Sequence, residues 1–105
     1  MEKPKLIVTI VGIVIFLFYG LYSYTSGVTD YIADSFIFAL VLVILFALSK
    51  KINITSTGLI LIILSSILHL SGVFGWYNKS PFPIQYDHLT HLVGFLAISI
   101  MLYQA

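Results

Sequence analysis

The sequence predicts an all-α, polytopic membrane protein of four transmembrane helices with both termini in the cytoplasm. Three observations predict it. Residues of the hydrophobic class fill 60% of the 105 positions and charged residues only 9%, against roughly 45–50% and about 25% in an ordinary soluble domain. Four apolar stretches of membrane-crossing length follow one another, and most lysines collect on one side of them. A chain this short has too little interior to hide that much apolar side chain from water. Lipid must cover the rest.

The helices are expected at about 6–24, 32–48, 58–77 and 86–103, as one transmembrane domain over 1–105. At ~1.5 Å per residue each spans most of a ~30 Å hydrocarbon layer. The first stretch is rich in β-branched residues (Ile7, Val8, Val11, Ile13, Val14, Ile15), which favour strands in water. In lipid a lone strand leaves its backbone unpaired and a helix does not, so helix is expected. This stretch follows Glu2, Lys3, Pro4 and Lys5 as a signal peptide would, yet its apolar core is longer than the usual ~7–15 residues, and Ser23 to Gly27 lacks a small-x-small cleavage pattern. It is read as retained. Thr25, Ser26, Gly27 and Asp30 end the first helix, Lys50 to Thr57 separate the second from the third, and Asn78 to Pro83 separate the third from the fourth.

Lys3, Lys5, Lys50 and Lys51 flank one side and Lys79 alone the other, which places both termini inside. Asp30, Asp34, His69, Asp87, His88 and His91 then fall at or near the outer surface. Tyr22, Tyr24, Tyr31, Trp76, Tyr77 and Tyr86 collect at the same level and are read as interfacial anchors. A formal net charge of +1 gives no reason to expect nucleic acid. The absence of cysteine removes disulfides, thiolate metal sites and thiol catalysis. Asn53-Ile54-Thr55 and Asn78-Lys79-Ser80 fit the glycosylation pattern only weakly, one being cytoplasmic and the other followed by Pro81.

Chemistry is expected where the third and fourth helices meet their shared outer loop. Asp87 and His91 stand four apart on one helical face with Thr90 and Gly94 beside them, while His88 points away. On the third helix, Ser65, His69 and Gly72 form a narrow polar and small-residue face suited to close helix approach. A site of His69, Asp87 and His91 follows as an expectation. Two imidazoles and a carboxylate suit zinc or another divalent metal with a position left for water. Without a metal, Asp87 would orient His91 for acid and base work. Plain packing or interfacial solvation remains the third reading. Asp30 and Asp34 are explained as acids at a helix N-terminus, with Asp34 the source of a fourth ligand if the helices bring it near. Gly12, Phe16, Tyr19 and Ser23 share a face of the first helix, read as packing. No complete catalytic motif is present, so the chain is not assigned as an enzyme.

From Ile67 to Phe95 the sequence carries His69, Gly72, an aromatic loop with Pro81 and Pro83, and then Tyr86, Asp87, Leu89, His91, Gly94 and Phe95. This pattern resembles the YjdF-like family of bacterial and archaeal integral membrane proteins and, more distantly, VanZ-like membrane proteins. The resemblance implies a prokaryotic inner (cytoplasmic) membrane and a site using His69, Asp87 and His91. It also implies further helices bearing acids with no counterpart here, to be supplied by a longer chain or by another copy. Two functions are therefore carried forward: an outward-facing His/Asp site, with a divalent metal such as zinc, or a structural module that assembles as a homo-oligomer or with another membrane subunit. Ion conduction ranks below both, since no charged residue lies mid-membrane.

Overall fold

The computed structural model describes residues 2–104. Four α-helices form, α1 (Glu2–Ser26), α2 (Ile32–Leu48), α3 (Ser56–Leu70) and α4 (Tyr86–Gln104), with 3-10 turns at Thr29–Tyr31 and Ser71–Phe74 and no strand among the described residues. Three segments, Lys3–Ser26, Thr29–Leu48 and Ser56–Phe74, are long and apolar enough to cross a membrane. The protein is a membrane protein built of such helices. α4 has 19 residues, and Asp87, His88, Thr90 and His91 make its first turns polar.

α1 begins earlier than expected because Pro4 falls in its first turn, where a missing backbone N–H costs nothing. α3 is displaced at both ends. At its start the Thr55 side chain accepts from the Gly58 N–H at 3.0 Å, a helix N-cap. At its end the α-helix stops at Leu70 rather than running to residue 77, tightens into the 3-10 turn, and is closed by Gly75 at φ 85°. The left-handed conformation suits glycine because it has no Cβ to clash. Asn78 and Lys79 then donate to the Gly75 carbonyl, each at 3.1 Å, and complete the turn.

Neighbouring helices run antiparallel. Gly20 near the end of α1 faces Ser35 near the start of α2, and Tyr86 opening α4 donates to the Leu68 carbonyl near the end of α3. At the other end Asn53 Nδ2 donates to the Gln104 carbonyl and Thr55 Oγ1 to Gln104 Oε1, both at 2.8 Å. α1 packs against α2 and α3, whereas α4 has α3 as its principal neighbour. Overall the molecule measures 40 × 29 × 17 Å, so its cross-section is elongated rather than that of a square four-helix bundle.

The core comprises Phe16, Leu42, Ile54, Leu59, Ile63, Leu70 and Met101. Lipid is as apolar as these side chains, so close packing rather than escape from water holds the helices together. Gly12 serves this directly, since a Cβ there would stand 2.5 Å from Leu42 and 2.6 Å from Ile63. Phe16 and Ser23, on the same face, are buried, and Tyr19 OH donates to Ser71 Oγ at 2.9 Å. Buried hydroxyls satisfy themselves on carbonyls one turn back, as Ser35 does on Tyr31 and Ser66 on Ile62, each at 2.8 Å. Phe18, Phe36, Leu40 and Phe95 point outward and are exposed. These are the lipid-facing surface expected of such helices.

Candidate functional site

Asp34 occupies the first turn of α2, whose N-cap residue Tyr31 makes no side-chain capping hydrogen bond. The Asp34 carboxylate reaches across to α3, where Oδ2 lies 3.0 Å from His69 Nε2. Asp34 is thus an acid in the first turn of α2, as expected, and has a specific partner as well. Asp30 stays in the 3-10 turn, exposed and outside this contact.

The His69 imidazole is enclosed by aromatic edges, with ring centroids at 5.9 Å to Tyr31, 5.6 Å to Phe38 and 5.6 Å to Tyr77. Tyr77 OH lies 2.6 Å from His69 Nδ1. This contact depends on the chain reversal. Had α3 continued to Tyr77, eight residues would have separated the two side chains by ~12 Å along the axis. Gly72 makes the space, for a Cβ there would collide with the Tyr77 ring and stand 2.6 Å from Tyr31 OH. The small-residue position expected to admit α4 therefore admits an aromatic ring. Gly94 does serve the α3–α4 contact, since a Cβ there would be 3.3 Å from Ser65 Oγ.

With Asp34 accepting from Nε2–H, neutral His69 offers Nδ1 as an acceptor and Tyr77 donates to it. Tyr77 has one proton, which goes to Thr90 Oγ1, 3.3 Å away, when it is not donated to His69. When both imidazole nitrogens carry protons the direction reverses. Nδ1–H donates to Tyr77, Tyr77 to Thr90, and Thr90 to the Asp87 carbonyl at 3.0 Å. Burial pushes the Tyr77 phenol above its ordinary range, the Thr90 hydrogen bond lowers it, and the Asp87 and Asp34 carboxylates raise it further. It therefore remains a proton donor through neutral pH.

Asp87 and His91 pair along α4 as their spacing requires, Oδ1 to Nδ1 at 3.2 Å, and Nδ1 also lies 2.7 Å from the Asp87 carbonyl oxygen. Both are exposed, and so is His88. The residues expected to form one cluster thus stand as two pairs, Asp34 with His69 and Asp87 with His91. Tyr77 and Thr90 lie between them. No group of three His, Asp or Glu side chains is disposed to hold a metal ion among the described residues.

His69 of the first pair and both members of the second line one groove of about 550 Å³, bounded by α2 and α4 with α3 between. Asp34's partner His69, with Tyr77, Asp87 and His91, lines its polar end, and Leu45, Ile62, Ile98 and Met101 line its apolar depth. Its volume lies within the ~300–1,000 Å³ range of ligand sites. Its polar groups gather at one end of an otherwise apolar lining.

Residues 4–105 match the family described as "Predicted membrane protein (DUF2238)". The chain belongs to that family. No curated protein and no solved structure matches it. The DUF2238 assignment agrees with the membrane helices and carries neither the YjdF-like nor the VanZ-like name.

Two tyrosines read as interfacial anchors take structural places in this DUF2238 chain. Tyr77 is part of the His69 contact, and Tyr86 is buried at 1% exposure against Tyr77, their ring centroids 4.9 Å apart. Gly75 was the available signal. A glycine six residues before Pro81 suits a helix stop, and a stop there places Tyr77 in a turn able to fold back on His69.

Proposed function

We propose that the chain crosses the bilayer four times with both termini inside, and that the α2–α4 groove binds a membrane-embedded amphipathic ligand whose polar end meets an outward-facing His/Asp site. The meeting of His69, held by Asp34, with the Asp87–His91 pair along the wall of a single groove with an apolar depth carries this reading. The fourth crossing is supported by the contacts of Gln104 with Asn53 and Thr55. They hold the end of α4 level with the start of α3, so a helix paired with α3 along its length crosses with it. Lysine placement supports the orientation. At the polar end His69 can exchange a proton, its ring oriented by a carboxylate on one nitrogen and a phenol on the other.

Lipid retention by the detergent-purified protein tests the reading. Wild-type protein is incubated with an equimolar mixture of phosphatidylethanolamine and phosphatidylglycerol, and bound lipid is counted by native mass spectrometry. Ile98→Trp, which fills the groove, is expected to lower total retention severalfold. Equal retention by the variant would refute a ligand groove.

A divalent cation bridging the two pairs is the second reading, favoured by Asp34 standing beside His69 as a ligand would. His69, Asp87, His91 and Asp34 would then supply nitrogen and oxygen donors that suit zinc. This reading requires both pairs to part. A zinc-induced rise in unfolding temperature that His91→Ala abolishes would support it, and no rise would remove it.

A further inference from the structure

We infer that the ligand of the α2–α4 groove is a bilayer lipid whose headgroup carries an ammonium group. This deepens the groove reading and rests on it. The charged side chains around the polar end are carboxylates, Asp87 in the groove lining and Asp34 on His69. None of the five lysines lines the groove. Lys3 and Lys5 open α1, Lys50 and Lys51 follow α2 at the far end of the helices, and Lys79 sits exposed in the outer loop.

The imidazoles are already engaged by the protein's own groups. His69 uses both ring nitrogens, on Asp34 at 3.0 Å and on Tyr77 at 2.6 Å. His91 directs Nδ1 at its own helix. The carboxylates have capacity to spare. Asp34 engages His69 through Oδ2 and Asp87 engages His91 through Oδ1, and no described side chain donates to the second oxygen of either. The Asp87 carboxylate at one end of an apolar groove, with Asp34 behind His69, favours N–H donors and repels a net anionic headgroup. Phe38 and Tyr77 add aromatic rings to the groove wall, and such rings attract a cation over their faces.

Dimensions fit the same occupant. From Asp87 to Met101, both in the lining, α4 advances fourteen residues, ~21 Å of helix. Half of a hydrocarbon core is ~15 Å, so an acyl chain of one leaflet lies along the groove with its headgroup at the carboxylates. The groove opens sideways between α2 and α4, so a lipid can enter from the bilayer plane.

The two lipids of the retention assay share acyl chains and phosphate, and differ in ammonium against glycerol. Wild type is expected to retain phosphatidylethanolamine over phosphatidylglycerol by on the order of threefold, the effect of a partly exposed charge pair. Asp34→Asn with Asp87→Asn should bring the ratio to unity. Asp87→Asn alone, altering an exposed side chain bonded only within α4, should lower the ratio even if the double variant fails to fold. Equal or reversed preference in wild type would overturn the headgroup assignment and leave the groove standing if Ile98→Trp still lowers retention of both lipids. Loss of neither lipid in Ile98→Trp would overturn both.

Discussion

Asp34 Oδ2 meets His69 Nε2 at 3.0 Å and ties the first turn of α2 to the last turn of α3. Both side chains are 37% exposed, so water and headgroups share in solvating the pair. Asp34→Ala is accordingly expected to lower stability by about 1 kcal/mol or less, measured by SDS titration of the detergent-solubilised protein. A loss above ~3 kcal/mol would mean a fully desolvated pair in the bilayer.

Gly72 and Gly75 should fail for different reasons. Gly72→Ala drives a methyl into the Tyr77 ring and toward Tyr31 OH, an overpacking that costs about 1–3 kcal/mol. Removing the ring with Tyr77→Ala should relieve much of that cost, giving non-additive losses in a double-mutant cycle. Gly75→Ala meets nothing within 4 Å but forces a side chain to φ 85°, a backbone cost of ~1–2 kcal/mol. Tyr77→Ala should leave that cost unchanged.

Alkaline titration reports on Tyr77. Its folded phenol keeps its proton to higher pH than an unfolded tyrosine at ~10, because burial and two carboxylates disfavour the phenolate. The stability it contributes is whole below pH ~10 and is lost as pH rises through the raised folded value. Subtracting the tyrosinate absorbance curve of Tyr77→Phe from that of the wild type should leave a step above pH ~10. A step at or below that pH would contradict the burial of Tyr77 against His69.

Topology is open to direct labelling because the chain has no cysteine. Single cysteines at Asn53, Lys79 and Gln104 should respond in two classes to a membrane-impermeant maleimide applied outside. Lys79→Cys should label, and Asn53→Cys and Gln104→Cys should not. Labelling of Gln104→Cys without Asn53→Cys would conflict with the 2.8 Å contact between those two residues.

Within-helix relationships were the legible part of the site. Asp87 and His91 are four apart, and a helix of 3.6 residues per turn brings them together whatever surrounds it, as their 3.2 Å contact shows. The Gly12, Phe16, Tyr19 and Ser23 face could be read in the same way. The partner of His69 could not. Five acids and histidines, Asp30, Asp34, Asp87, His88 and His91, were available to it at that end of the helices, and the choice of Asp34 over Asp87 or His91 depends on how α2 and α4 flank α3, which no spacing along one helix encodes. The tail of α3 misled for a related reason. Hydropathy continues through Val73 and Phe74 to Tyr77, but backbone geometry at Gly75 ends the helix, and composition alone does not weigh one glycine against an apolar run.

The sequence by itself determined the membrane setting, the all-α class, the approximate extent of α1, α2 and α4, and the polar character of one end. Those follow from composition and from the demand that backbone groups in lipid pair within their own segment. Only the tertiary structure decided that the polar residues form two pairs joined through Tyr77 and Thr90, and that a groove runs beneath them. Lateral packing in lipid depends on the detailed fit of small differences such as Gly12, Gly72 and Gly94, because the apolar surfaces gain little by leaving lipid for one another.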